Sequence, residues 1–334
     1  FVIRGKYLNF LQPIIAPWFD TKDLIGYVFL SQLLANIPLF WLLRKEVFNY
    51  SFVWDKALVK KVFIYSYPIT ILGLAGTLNS VADRFFIKNY LPSHFGDREY
   101  LLGVYFACIK FSVFILVLIQ GYRFAAEPFF FSKAKDKNAP ELLAKAMEYF
   151  VIVACFSVLA VSLNIDWLKF LLLGKREYDA GLVIVPTFLF ANVLLGVYYN
   201  LTAWFKISDK TYYGTYISLI GAIITIIGNL GLLPIFGILG SSIASLITYS
   251  SMAFLCYYWG QKFYPIPYNL IKILGYIAFS AILVWIASQM QFESLWFGFF
   301  VKNALTLIFL ALVIFLERKT LLPLINKIRG RVSL

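Results

Sequence analysis

The chain has 334 residues, is 61% hydrophobic and 14% charged, and has a mean hydropathy of +0.79. A water-soluble domain cannot hide that much apolar surface, and apolar runs of membrane-spanning length recur along the chain, so we read an all-α polytopic membrane protein. Continuous apolar runs exclude a β-barrel, whose strands alternate, and the net charge of +13 is read as cytoplasmic loop charge, not as a nucleic-acid surface.

Residues 1–22 are mixed and look like the tail of one segment plus a loop. The chain opens on FVIRGKYLNF with no initiator Met or signal peptide, and we expect a fragment lacking its N-terminal part. About nine apolar spans follow, near 23–43, 62–91, 101–126, 142–172, 181–205, 211–235, 238–260, 268–289 and 295–316. Several exceed the ~20 residues that a perpendicular span needs, so tilting or extension beyond the lipid is expected.

The connections alternate in charge. Nineteen basic residues fall on one side, among them Arg44, Lys45, Lys56, Lys60, Lys61, Lys133, Lys135, Lys137 and the tail from Arg318 to Arg331; eight fall on the other. The richer side is cytoplasmic by the positive-inside rule, and it includes the C-terminus. The longest polar connections, 44–61 and 127–141, are on that side, and the outer loops are short. Pro68, Gly73, Gly76, Pro186 and Gly221 lie inside spans, where they permit bends and close helix contacts.

The second span carries the chemistry. Asn79 and Asp83 are four residues apart and share a helix face, and Arg84 follows about 100° further round. Charge at this depth is costly, and such residues face a bundle interior or a water-filled cavity. Asp83 lies roughly 12 Å and Lys110, on the next span, about 14 Å from the outer end at 1.5 Å per residue. We therefore expect Asp83, Arg84 and Lys110 to form a polar cluster facing a cavity, with Lys110 paired to Asp83. Gln120, Arg123 and Glu127 recur at i, i+3, i+7 and make a polar stripe near the cytoplasmic end of the third span. The structural alternatives are an interhelix ion pair and an interfacial arginine.

Asn192, Asn200 and Asn229 read as helix–helix glue. Tyr105, Tyr198, Tyr199, Tyr212 and Tyr213 are candidates for stacking on sugars, against a background rich in aromatic residues. Cys108, Cys155 and Cys256 sit in apolar runs with no CxxC spacing, and His94 is the one histidine, so neither a metal site nor a cofactor is expected. With no Walker A, GxSxG or HExxH sequence, we expect a transporter and not an enzyme. The excess of cations within the spans suits an anionic cargo such as a diphosphate.

Three stretches carry a family likeness: LAGTLNSVADRFFIKNYL (74–91), LLGVYFACIKFSVFILVLIQGYRFAAEPFFFSKAKDKNA (101–139), and 194–249, which opens LLGVYYNLTAWFKISDK. Together they resemble the Wzx-type oligosaccharide flippases, of the superfamily that also holds the MATE exporters and the lipid II flippases. The resemblance implies two six-helix lobes and two additional helices. Mapped here, 1–43 would hold the last helix of the first lobe, 44–61 the linker, 62–260 the second lobe, and 261–334 the additional pair with a basic tail. It implies transport of undecaprenyl-diphosphate-linked oligosaccharide across the bacterial inner membrane for surface polysaccharide such as O-antigen. A glycan polymerase and glycosyltransferases would be partners beside the membrane lipids. Arg84, Lys110, Arg123, Asn79 and Gln120 would line the lumen, and Asp83 and Glu127 are candidates for coupling to an ion gradient. The alternatives are a MATE-type drug or cation antiporter, which a cationic lumen disfavours, and a membrane glycan polymerase or ligase, which needs larger outer loops.

Overall fold

The computed structural model describes residues 24–45, 55–133, 136, 138–173, 176–290, 292 and 294–332, some side chains within them excepted. Among the described residues there is no strand. The helices are α1 (Leu24–Leu42), α2 (Lys56–Tyr90), α3 (Arg98–Ile109), α4 (Val113–Lys133), α5 (Ala139–Ser162), α6 (Ile165–Leu172), α7 (Ile184–Leu201), α8 (Ala203–Ile207), α9 (Tyr212–Phe236), α10 (Ile238–Phe263), α11 (Leu270–Gln289) and α12 (Leu295–Val332). Among the described residues seven stretches are long and apolar enough to cross a membrane, the first of them running from Arg98 to Ala126 through α3 and α4. The protein is an all-α polytopic membrane protein.

Contacts divide the chain into residues 1–63 and 64–334. The first unit holds α1, an apolar helix, and the start of α2. There Asp55 is the N-cap: its Oδ1 accepts the backbone N–H groups of Ala57 at 2.8 Å and Leu58 at 3.3 Å. Lys56, Lys60 and Lys61, read from the sequence as loop charge, therefore lie on the first turns of α2.

In the second unit α7 is the central helix. It packs on α10, α5, α4 and α3, and Ile184, Leu189 and Val193 on it are fully buried. The approach to α5 is close: a Cβ at Gly196 would lie 2.2 Å from Cζ of Phe150. Small residues let helices in a membrane meet where van der Waals packing, not water exclusion, holds them. α9 and α10 form a tight hairpin around Gly237, whose φ of +60° favours glycine.

Two expected spans are interrupted. The third contains a 3₁₀ turn at Lys110–Ser112 between α3 and α4, where the Ser112 hydroxyl donates to the Ile109 carbonyl. The fourth, read as 142–172, stops at Ser162, and α6 is a separate short helix. Asn164 accounts for the break. Its amide donates back to the Ala160 carbonyl at 2.9 Å and forward to Asn303 Oδ1 at 3.1 Å, and Asn303 donates in return at 2.8 Å. Beside it Lys302 pairs with Asp166 at 2.8 Å.

Further along α12, Glu317 is 4% exposed and accepts from Lys272 at 2.7 Å and from Tyr276 at 2.9 Å. Glu148 of α5 lies 3.8 Å from the same lysine. These groups fasten α11 and α12 to α5. At the other end of α2, the Arg98 guanidinium donates to the Leu91 carbonyl at 2.6 Å and the Asn89 carbonyl at 3.1 Å. It closes carbonyls that the end of a helix leaves open.

Candidate functional site

Asn79 and Asp83 share the inward face of α2, at 5% and 3% exposure. Asp83 does not pair with Lys110. Its Oδ2 accepts the Tyr105 hydroxyl at 2.6 Å, and its Oδ1 accepts the Arg84 backbone N–H at 2.9 Å. Tyr105 and Lys110 are five residues apart, about 140° round the helix, so the face that offers the phenol to Asp83 turns the ammonium away. Lys110 is exposed, and no carboxylate among the described residues bonds it. It lies one turn beyond Phe106, whose ring carries the Arg84 guanidinium at 5.1 Å. Arg84 is half-buried and its Nε is enclosed without a hydrogen-bond partner. The expected cluster thus splits, with Asp83 sealed inside while Arg84 and Lys110 share an outer face.

Asn79 ties three helices. Its amide donates to the Ser218 carbonyl at 3.3 Å, and its Oδ1 accepts from Thr225 at 3.2 Å. Thr225 and Thr248 bond at 3.1 Å, Asn229 donates to the Thr225 carbonyl at 2.8 Å, and Ser241 donates to Asn229. Gly221 lets α9 approach, since a Cβ there would lie 3.0 Å from the Asn79 amide nitrogen and 2.6 Å from the Met252 sulfur. The asparagine-as-glue reading holds for Asn229 and for Asn200, which accepts the hydroxyl of Tyr122 on α4, while Asn192 donates to its own helix at Phe188.

Next to this network a cleft of about 370 Å³ opens between α2, α4, α7, α9 and α10. Its polar lining comes from Thr77, Asn79, Ser80, Arg123, Ser218 and the tyrosines 198, 199 and 249. Gly73 and Gly76 present bare backbone to it, and a Cβ at either would meet nothing within 4 Å. Arg123 lies over the Tyr199 ring at 4.5 Å. Of the five residues expected to line a lumen, Asn79 and Arg123 line the cleft. Arg84, Lys110 and Gln120 do not; Gln120 is exposed on α4. Glu127 lies on α4, and its side chain is outside the described residues.

The five tyrosines separate. Tyr198 and Tyr199 face the cleft. Tyr105 is fully buried on Asp83. Tyr212 and Tyr213 belong to an aromatic group in which Tyr213 touches Trp204, Trp259 and Phe263. Sequence reasoning passed over Tyr249, whose hydroxyl donates to the Asn79 carbonyl at 3.4 Å, and Thr225. It also missed Glu317, the last acid before the basic tail.

No family model matches the chain, and no curated protein sequence matches it. Among solved structures it is similar to the lipid II flippase MurJ in an inward closed conformation, with a TM-score of 0.66 and 13% identity. The match covers 86% of this chain and 61% of that one, so this chain spans about three fifths of the flippase's length. At that identity the likeness establishes a shared fold.

Proposed function

We propose that this chain is part of a flippase that moves undecaprenyl-diphosphate-linked oligosaccharide across the bacterial inner membrane, from the cytoplasmic to the outer leaflet. The observation that carries the reading is the cleft inside the bundle, where an arginine, three tyrosines, hydroxyls and an amide converge. A cation suits the diphosphate, and aromatic faces with hydroxyls suit sugar rings. The outer face of α2 and α3 supports the same reading. Lys110 sits about 18 Å along the span that begins at Arg98, and a lysine at the bilayer centre costs roughly 2.5–3.5 kcal/mol. An exposed ammonium at that depth calls for a wet passage or another part of the protein against it.

In this reading the side bearing the basic tail is cytoplasmic. The lipid tail stays in the bilayer while glycan and phosphates cross beside the cations. Polymerase and glycosyltransferases act on either side of the step, and the chain itself performs no bond chemistry. Asp83 and Glu127 are the acids through which an ion gradient would couple.

The test is transfer of a fluorescent undecaprenyl-diphosphate oligosaccharide between leaflets of vesicles holding the full-length protein. Arg123→Gln should slow transfer by about tenfold, the loss of one charge-assisted contact. Transfer by that variant at the unaltered rate would remove the cleft from the pathway, and absence of transfer by the native protein would remove the function.

A further inference from the structure

The short helix α6, IDWLKFLL, is apolar on more faces than its packing uses. Ile165, Leu168 and Leu172 share one face, three and four residues apart, and pack on the core. Phe170 and Leu171 lie on another face and stay 58% and 78% exposed. The two charged side chains are both engaged within the protein. Asp166 pairs with Lys302 of α12 at 2.8 Å, and Lys169 pairs with Asp179 of the 3₁₀ turn Arg176–Gly181 at 2.9 Å. A helix that is apolar round most of its circumference is at rest only against more protein or lipid.

Trp167 carries this apolar face across to α12. Its ring lies 4.8 Å from that of Trp296, and Trp296, Phe297 and Phe300 are themselves exposed. α12 also supplies a depth scale. The basic tail begins at Arg318, so the clasp of Glu317 on Lys272 marks one boundary of the membrane. From Glu317 back to Trp296 the helix rises about 32 Å at 1.5 Å per residue. The hydrocarbon core of a bilayer is roughly 30 Å thick. Trp296, and with it Trp167 and α6, therefore stands at the opposite boundary, where tryptophan is enriched.

We infer that α6 and the first turns of α12 form one aromatic foot seated in the lipid boundary on the side opposite the basic tail. Phe170 and Leu171 enter among the upper acyl carbons, and Trp167 and Trp296 lie at the headgroup level. The inference stands apart from the transport reading, since it needs only the membrane. The part of the lipid that the foot meets is uncharged. Lys169, the one cation on α6, is already held by a carboxylate, so neither an anionic headgroup nor an acidic protein finds a free positive charge there. Depth, paired tryptophans and neutralised charge together select lipid over a soluble partner.

The experiment places a nitroxide at Leu171→Cys in the full-length protein in phosphatidylcholine bilayers and reads its collisions with oxygen and with a water-soluble nickel chelate. The three native cysteines are buried and leave the label to the new one. Leu307→Cys, exposed halfway along the membrane part of α12, is the deep reference. The label at Leu171 should be open to oxygen and nearly closed to nickel, about 5–10 Å below the headgroup boundary and shallower than Leu307. Added phosphatidylglycerol should leave that depth unchanged. Nickel access as in open water overturns the inference. So does protection from both reagents, which would mean that a second copy or another protein covers the helix. A depth equal to that of Leu307 overturns it by placing α6 inside the spanning core. A shift to greater depth on adding phosphatidylglycerol overturns it in favour of an anionic headgroup site. Phe170→Cys should give the same reading, and it decides the matter if Leu171→Cys fails to fold.

Discussion

Two regions of residues 64–334 hold charged groups on opposite terms. Where α11 and α12 meet α5, the buried Glu317 carboxylate is met by Lys272 and Tyr276, with Glu148 close by. On the outer face of α2 and α3, Lys110 is exposed with no carboxylate among the described residues bonding it, and Arg84 rests on a phenylalanine ring with an unsatisfied Nε. The first arrangement is complete within the chain and holds helices together. The second is incomplete among the described residues. Charge inside a membrane protein is thus informative about transport only after its partners are counted.

The contrast can be broken most forcefully at Glu317. Glu317→Ala strips the acceptor from a lysine and a buried phenol and should cost about 3 kcal/mol, by the usual penalty for removing one partner of a buried pair. Thermal unfolding in detergent reads it, and a loss below one third of that would show the pair to be dispensable.

A smaller effect is expected inside α2. Tyr105→Phe leaves one oxygen of the buried Asp83 carboxylate without its donor and should cost about 1–2 kcal/mol. Asp83→Asn keeps an acceptor for the phenol and should cost less. The reverse order would mean that the negative charge itself, not the hydrogen bond, is what the fold requires.

The smallest change in stability belongs to the open face. Lys110→Gln should shift unfolding by no more than about 0.5 kcal/mol, as for surface positions without a structural partner. Leaflet transfer by the same variant should fall. A destabilisation as large as that of Glu317→Ala would erase the distinction between the two regions.

The sequence carried most of the helical spans, because apolar length is a one-dimensional quantity. Placing Asn79 and Asp83 on one buried face needed only their spacing. Pairing Asp83 with Lys110 failed because depth along a helix says nothing about direction round it. The 3₁₀ turn at Lys110–Ser112 adds a local change of phase that no apolar pattern announces. Arg123 lines the cleft, but Gln120, one turn earlier in the same stripe, points elsewhere. Glu317 was hidden by its neighbours, since an acid followed by Arg318 and Lys319 reads as loop. Its partner Lys272 is 45 residues away in the chain.

The clasp of Arg98 on the last carbonyls of α2 has a mechanical meaning. It stiffens the elbow between α2 and α3, so the two rods behave as a fork and not as a chain of links. Any stroke that tips one prong carries the other, and Arg84 and Lys110 travel together with their spacing preserved. The bending must then occur elsewhere.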